Sequence, residues 1–107
     1  MIKDKVLSLL SIAQKAGKIK SGSFQTSEAV KGGKARLVLV ATDASDNSKK
    51  DNFDMCSFYK VPCREYATKD DLGRAIGKEE RTSVTVCDEG FAHSLEKLLN
   101  ECSGQER

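Results

Sequence analysis

Residues 33–45, with the sequence GKARLVLVATDAS, decide the fold of this 107-residue chain. Four consecutive apolar residues, 37–40, lie at the centre of this segment. A short apolar run of this kind is typical of a central β-strand that is covered on both faces, so we predict a strand over residues 35–41. Residues 42–46 are rich in Thr, Ser and Asp, which favour helix starts, and we predict a helix from there to about Tyr59.

Upstream of this segment the pattern predicts a helix, a short strand and a second helix. Apolar residues at helical spacing over residues 6–16 predict a helix that stops at Gly17. Residues 18–21 alternate between polar and apolar and predict a strand. A second helix is predicted to open at Ser23, whose hydroxyl would act as the N-cap, and to end at Gly32 and Gly33.

Downstream the alternation continues. Residues 62–67 predict a strand, Thr68 predicts the start of a short helix that stops at Gly77, residues 82–87 predict a strand, and residues 88–90 begin a last helix. Alternation of helices and strands predicts an α/β fold with one sheet between two helical layers, a three-layer α-β-α sandwich. Length and the absence of a linker predict a single domain over residues 1–107.

The composition is that of a globular domain, with 32% charged and 38% hydrophobic residues. No apolar run reaches the roughly 20 residues of a membrane span, and residues 1–5 lack the apolar segment of a secretory signal. We therefore expect a cytoplasmic protein with no membrane partner.

Charge is unevenly distributed along the chain. Residues 1–41 contain eight Lys or Arg and two acidic residues, a net charge of +6, whereas residues 42–107 contain ten basic and fourteen acidic residues, a net charge of −4. A fold that keeps the two halves apart would have one basic face suited to a polyanion, and a fold that mixes them would not.

The four cysteines do not have the spacing of a metal site. They are Cys56, Cys63, Cys87 and Cys102, no pair is arranged as CxxC, and His93 is the only histidine. We expect no metal, and we interpret the cysteines as small buried apolar residues in a reducing compartment.

No catalytic arrangement is found in the sequence, and we expect neither an enzyme nor a cofactor. His93 lies in the predicted last helix, and the adjacent acids 70–71 and 79–80 would point apart rather than share a substrate. Residues 73–78, GRAIGK, have three residues between the glycines where a phosphate-binding P-loop has four, and Glu79 follows in place of Ser or Thr.

Residues 18–25 carry the groups that a nucleic-acid site would need. Gly22 would allow close approach of another backbone, and the start of the second helix would present free amides to phosphate. Ser23 can donate a hydrogen bond and Gln25 can both donate and accept one, as reading a base edge requires. Phe24 would either stack on an unpaired base or belong to the core, and the core is favoured. Phosphate contacts are expected from Lys18, Lys20, Lys31, Lys34 and Arg36.

Several blocks of the sequence resemble one known superfamily in the same order. They are residues 13–18 with Ser21 and Gly22, residues 33–45, residues 59–62, residues 72–78 and residues 88–92. The chain resembles the kink-turn-binding ribosomal protein superfamily, L7Ae/L30e, and within it the bacterial YlxQ-type branch. The resemblance implies a three-layer sandwich with a four-stranded mixed sheet, and a protein that grips a sharply bent RNA internal loop with tandem sheared G·A pairs.

The resemblance also implies which residues touch RNA. Gly22 matches the glycine that lets RNA pack closely, and Phe24, Gln25 and Glu28 stand at the positions of the Asn-Glu-x-x-Lys signature. The loop before the last strand is a second contact region, with Lys78 and Arg81. The third region follows the central strand and corresponds to Ser45 and Lys49.

Two functional hypotheses remain open at the level of the sequence. The first is non-catalytic binding of structured RNA, kink-turn-like or ribosomal, by a monomer that also meets ribosomal or translation-related proteins. The alternative is a protein-interaction scaffold with weakened RNA recognition, because Phe24 and Glu28 put an apolar and an acidic group where the family has RNA-reading ones.

Overall fold

A computed structural model describes residues 4–105 of the chain, with side chains over residues 4–101. Within these residues the elements are α1 (Lys5–Lys15), β1 (Ile19–Ser21), α2 (Ser23–Lys31), β2 (Leu37–Val40), α3 (Asp46–Tyr59), β3 (Cys63–Glu65), α4 (Lys69–Ala75), β4 (Ser83–Val86) and α5 (Glu89–Gln105). The predicted order of helices and strands is confirmed. The strand that includes residues 37–40 is shorter than the predicted 35–41, since residues 35, 36 and 41 lie outside it.

The four strands form one mixed sheet in the order β1-β4-β2-β3. β4 pairs antiparallel with β1 and β2, and β2 pairs parallel with β3. Helices α2 and α3 pack on one face, while α1, α4 and α5 pack together on the other. The α/β three-layer sandwich with a four-stranded mixed sheet is therefore confirmed.

The two central strands, β2 and β4, are buried along their whole length. Val84 and Val86 alternate with Ser83 and Thr85, so the two pairs point to opposite faces of the sheet. The hydroxyls of Ser83 and Thr85 lie 3.2 and 2.9 Å from the hydroxyl of Thr26 on α2, and all three residues are fully buried. This buried hydroxyl cluster fixes the first turn of α2 against β4.

Two predictions about α2 are wrong. Its N-cap is Gly22 rather than Ser23, because the chain leaves β1 through a backbone conformation with φ 91° that glycine adopts without strain, and Ser23 is already helical. Phe24 is not in the core, since its side chain is 74% exposed. Thr26, Ala29 and Val30 form the buried face of α2, and Phe24 points away because it precedes Thr26 by two residues, about 200° of helical rotation.

Three helices begin at one edge of the sheet, where β1, β2 and β3 end and β4 begins; we call it the upper edge. Hydrogen bonds from the amide of Gly22 to the carbonyl of Ser83 (3.1 Å) and from Ala41 to Thr82 (2.9 Å) join the chain there. The helices α2, α3 and α4 all start at this edge. At the opposite, lower edge, the amide of Cys87 donates to the carbonyl of Lys18 (2.8 Å).

Candidate nucleic-acid interface

The start of α2 is an open group of backbone donors at the upper edge. The amides of Ser23, Phe24 and Gln25 precede the first intrahelical bond, in which Thr26 donates to the carbonyl of Gly22 at 3.0 Å. No side chain among the described residues caps them, and the first turn contains no acid. Apart from its two chain neighbours, a Cβ placed on Gly22 would meet no described atom within 4 Å, so the surface beside this residue is open.

The other two helices that begin at the upper edge are capped by side chains. The Ser45 hydroxyl accepts from the amide of Ser48 at 3.1 Å, and the Thr68 hydroxyl accepts from the amide of Asp71 at 3.1 Å. The carboxylate of Asp43 accepts from the amide of Lys69 at 2.8 Å. Of the three helix starts, α2 therefore retains the most capacity for an external anion.

Arg81 places a positive charge next to this helix start. Its Nε donates to the Ser21 hydroxyl at 3.3 Å, and its Nη1 donates to the carbonyl of Glu80 at 2.9 Å. Because Ser21 ends β1 immediately before Gly22, the guanidinium lies beside the open start of α2. A guanidinium has five donors, so these bonds leave capacity for a phosphate.

Gly73 is a residue that the functional analysis of the sequence missed. It is buried in α4, and a Cβ there would lie 2.6 Å from the carbonyl carbon of Glu79 and nearer still to its oxygen. The absence of a side chain lets the loop of residues 77–82, which carries Arg81, pack on α4. The available signal was a glycine inside a predicted helix, which indicates a close approach of another chain segment.

A surface depression of about 480 Å³ runs along the flank of α2 at the outer edge of the sheet. It is lined by Lys20, Phe24, Gln25, Glu28, Ala29, Gly32, Lys34 and Cys87. Lys20 pairs with Thr85 across the strands, so its side chain is on the same face of the sheet as α2. The depression thus combines an exposed aromatic ring, a carboxylate, an amide and two ammonium groups.

Cations gather around Cys87, where this depression meets the lower edge. Burial raises the pKa of the Cys87 thiol, and the charges of Lys20, Lys34 and Arg36 oppose that rise. The amide of Arg36 also donates to the carbonyl of Val86 at 2.8 Å. None of the ion pairs formed within residues 4–101 uses these three cations, so they remain available to an anionic ligand.

The predicted RNA-contacting residues fall into two groups. The upper edge includes Gly22, Ser23, Ser45 and Arg81, with Lys78 exposed in the 77–82 loop. The flank of α2 and the lower edge include Lys18, Lys20, Phe24, Gln25, Lys31 and Lys34, all exposed. Lys49 is half-buried and paired with Glu65 at 3.4 Å.

The cysteines and the histidine lie outside these two regions, except for Cys87. Cys56 is buried and Cys63 partly buried, and a hydrogen bond between their thiols lowers the pKa of Cys56 and raises that of Cys63. Cys102 lies outside the described side chains, and His93 is exposed. The part of the chain that the structure describes contains no group of three or more His, Cys, Asp or Glu placed to hold a metal, and no helix able to cross a membrane.

Comparison with protein families and sequences gives consistent matches over nearly the whole chain. The model of the ribosomal protein L7Ae/L30e/S12e/Gadd45 family matches residues 4–96. A Bacillus subtilis (strain 168) protein named RNA-binding protein YlxQ is 42% identical over 92 residues, 86% of this chain and 92% of the relative. An Enterococcus faecium protein of the same name is 35% identical over 97 residues, 91% and 93% of the two chains. The resemblance drawn from the sequence blocks is confirmed.

Solved structures show the same architecture. A protein of unknown function from Bacillus halodurans C superposes with a TM-score of 0.89 at 38% identity, covering 92% of this chain and 99% of the other. A Giardia lamblia protein described as a 15.5kD RNA binding protein superposes with a TM-score of 0.73 at 21% identity, covering 92% and 85%. The second likeness is one of fold alone.

Proposed function

Because the chain belongs to the ribosomal protein L7Ae/L30e/S12e/Gadd45 family, we propose that it binds structured RNA and catalyses no reaction. One structural observation carries the proposal: the start of α2 is uncapped at the upper edge, with Arg81 beside it. Two relatives that share most of this chain are named RNA-binding proteins, which supports the same ligand.

In this proposal a phosphate of the RNA backbone accepts hydrogen bonds from the amides of Ser23, Phe24 and Gln25. The missing side chain of Gly22 lets the backbone approach, and Arg81 supplies a second, charged contact. An RNA strand that continues from the upper edge past α2 would meet four exposed lysines, Lys18, Lys20, Lys31 and Lys34. These contacts would position the RNA, and the Gln25 amide would contact a base edge.

A sharply bent RNA suits this surface better than a straight duplex. The upper edge and the flank of α2 meet at Gly22, and the two arms of a bent RNA would each have one of these surfaces to contact. We therefore propose a kink-turn-like internal loop, in ribosomal or other structured RNA, as the ligand. Ser45, at the same edge, and Lys78, in the loop of residues 77–82, are the further contacts that this ligand would use. That the protein is cytoplasmic and monomeric remains a prediction.

A protein-interaction scaffold is the second candidate function. The 74% exposure of Phe24 favours it, because an exposed aromatic residue is a typical anchor of a protein interface. Ribosomal or translation-related proteins would be the partners. If this function is correct, partner proteins stay bound to the chain after ribonuclease treatment.

A fluorescence titration tests the RNA proposal. The protein is titrated into a kink-turn RNA, a duplex of equal length and purified ribosomal RNA, each at two salt concentrations. The proposal expects the kink-turn to bind most tightly with a modest salt slope, whereas equal and steeply salt-dependent binding to all three would indicate a non-specific phosphate grip. Absence of binding to all three would refute RNA binding.

A matched pair of variants locates the site. Gly22→Asp and Gly17→Asp add the same side chain and charge at positions with φ 91° and 76° and open surroundings. Gly22 also has ψ 159°, a conformation that is essentially restricted to glycine, so urea denaturation must first show that Gly22→Asp is folded under the conditions of the titration. Only Gly22 lies at the start of α2. We expect Gly22→Asp to weaken kink-turn binding at least about tenfold more than Gly17→Asp, a difference of about 1.4 kcal/mol. Equal losses of affinity in the two variants would contradict the placement of the RNA site at the start of α2.

A further inference from the structure

Two aromatic side chains are exposed at the end of α3, at the lower edge of the sheet. Phe58 is 78% exposed and Tyr59 is 41% exposed, and their rings meet edge to face with centroids 5.0 Å apart. Cys56 lies on the buried face of α3, and Phe58 follows it by two residues, about 200° of helical rotation, so the Phe58 ring points to solvent. Packing of the core therefore does not account for this ring.

The fold brings two cations to the same edge. The amide of Cys87 donates to the carbonyl of Lys18 at 2.8 Å, and the amide of Arg36 donates to the carbonyl of Val86 at 2.8 Å. Lys18 and Arg36 therefore flank the end of β4 on its two sides. The Nη1 of Arg36 donates to the carbonyl of Gly33 at 3.2 Å, so the guanidinium lies where α2 ends. This bond uses one of the five donors of the guanidinium.

The turn after α3 lies next to Arg36. β2 and β3 pair in parallel, and the amide of Val38 donates to the carbonyl of Pro62 at 2.9 Å. Arg36 and Lys60 precede these two residues by two positions each, so both lie just before their strands at the lower edge. Val38 pairs with Thr85, whose hydroxyl bonds to α2, and alternation along β2 puts Arg36 on that same face. Arg36 thus lies on the face of the sheet that α2 and α3 cover, at the level where both helices end.

The positive charge at this edge is not neutralised by ion pairs. Asp54, one turn before Phe58 on α3, is paired with Lys50 at 3.0 Å, so its charge is compensated. The acids that follow β4, Asp88 and Glu89, lie at the start of α5, which packs on the other face of the sheet. Three cations at the lower edge form no ion pair within residues 4–101: Lys34, Arg36 and Lys60.

An exposed ring beside such cations has the chemistry that binds unpaired nucleotides. The ring stacks on a base, and the cations contact the phosphates on either side of it. A duplex keeps its bases stacked on one another, so its bases cannot stack on Phe58. Lys34 also lines the depression along α2, which makes the lower edge continuous with the surface proposed for RNA.

We propose that the lower edge binds an unpaired segment of the RNA that the upper edge holds, with a base stacked on Phe58 and phosphates on Arg36 and Lys60. The inference rests on the proposed function, since it adds a second contact, at the opposite edge of the sheet, for the same RNA. Two linked contacts bind more tightly than either alone, because the second one forms within the complex.

Kink-turn RNAs with and without a single-stranded tail test the proposal. One RNA ends in a blunt duplex, one carries a tail of twelve adenosines, and one carries a tail of twelve abasic riboses with the same phosphates. The tail is placed in turn on the 5′ and on the 3′ end. At one of the two ends we expect the adenosine tail to bind about tenfold more tightly than the abasic tail, because stacking requires the base and phosphate contact does not.

The variants Phe58→Ala and Ile12→Ala provide the matched comparison. Both residues are large apolar residues exposed on helices, at 78% and 54%, and Ile12 is on α1, which packs on the other face of the sheet. We expect Phe58→Ala to abolish the tenfold gain and to bind the blunt RNA as the parent does, and Ile12→Ala to retain the gain. Phe58→Trp should retain it and Phe58→Leu should lose it, since leucine is apolar but offers no ring for stacking.

The outcomes separate this proposal from the RNA-binding proposal. If the blunt kink-turn RNA binds and the adenosine and abasic tails bind equally at both ends, the stacking site is refuted and RNA binding stands. If Phe58→Ala keeps the gain, the tail is bound elsewhere and the stacking site is also refuted. If no RNA binds, both proposals are refuted. Equal binding of the tails, together with a ribonuclease-resistant protein partner that Phe58→Ala releases, would assign the aromatic pair to a protein interface instead.

Discussion

Replacement of Gly73 by alanine tests whether the packing of one loop holds Arg81 in place. Gly73 is buried inside α4, and the loop of residues 77–82 passes directly over it. A new Cβ would lie 2.6 Å from the carbonyl carbon of Glu79 and 3.1 Å from the amide nitrogen of Glu80. Both neighbours are backbone atoms, so the loop has to move for the alanine to fit.

The cost follows from what that movement disturbs. The amides of Lys78 and Arg81 donate to the carbonyls of Gly73 (2.8 Å) and Lys69 (3.1 Å), and both bonds join the loop to α4. Overpacking costs about 1–3 kcal/mol, and each weakened hydrogen bond costs about 1 kcal/mol more. Alanine regains about 1 kcal/mol through its helix propensity. We expect a net loss of about 2–4 kcal/mol in the free energy of unfolding.

Urea denaturation followed by circular dichroism measures this loss, with Gly90→Ala as the control. Gly90 also lies in a helix, but a Cβ there would meet only a side-chain atom, the Asp88 Oδ2 at 3.2 Å, which accepts from the amide of Phe91. We expect Gly90→Ala to change the free energy of unfolding by no more than about 1 kcal/mol, because the gain in helix propensity opposes the close contact with Asp88. If Gly73→Ala were as stable as Gly90→Ala, the loop would have enough freedom to accommodate a side chain. Arg81 would then not be fixed by its packing.

Three further predictions concern α2 and the depression beside it. Thr26→Val leaves the buried hydroxyls of Ser83 and Thr85 without their partner and should cost about 1–3 kcal/mol in urea denaturation, whereas Thr26→Ser should cost much less. Phe24→Ala should leave the thermal midpoint of unfolding within about 2 °C of the parent, because the ring is exposed, and should weaken RNA binding. A large loss of stability would instead indicate that Phe24 packs in the core. Burial raises the pKa of Cys87 above its usual 9.0, so its alkylation by iodoacetamide at pH 8.5 should be slower in the native protein than in urea, and equal rates would contradict that shift. The same shift means that stability falls as the pH rises above 9.0, since the unfolded thiol loses its proton first.

The order of the elements could be predicted because periodicity and helix caps are local signals. The run of residues 37–40 is apolar without interruption, and it forms a strand that is buried along its whole length. Thr68 and Asp4 act as helix caps through their side-chain oxygens, as residues of their types commonly do. For these elements, the residue types within the element itself are enough to predict whether it is a helix or a strand.

The errors at α2 arose where neighbouring residues compete for the same role. Gly22 and Ser23 are both good N-cap residues, and the turn out of β1, which requires a positive φ, decided between them. The exposure of Phe24 depended on which face of a weakly amphipathic helix meets the sheet. The buried contacts of Thr26 set that face, and no local pattern marks a threonine as the centre of a buried hydroxyl cluster.

The candidate site depends on topology, which the local patterns did not reveal. Residues 21, 45 and 81 are far apart in the sequence, and they share one edge because β1, β2 and β3 all end where β4 begins. The residue types were predicted from the sequence, and their division between the upper edge and the flank of α2 was not.

The uneven charge of the sequence explains why one helix start remains open. Three acids of the second part of the chain lie at the starts of the neighbouring helices: Asp46 is in the first turn of α3, and Asp70 and Asp71 are in the first turn of α4. Asp43 accepts from the amide of Lys69 at the start of α4 as well. These carboxylates offset the positive ends of the α3 and α4 dipoles and discourage an external anion there. The start of α2 contains no acid within its first turn, and the cations Lys34 and Arg36 follow its C-terminal end. The proposed RNA would therefore be directed to α2 both by attraction along its flank and by the occupied starts of the neighbouring helices.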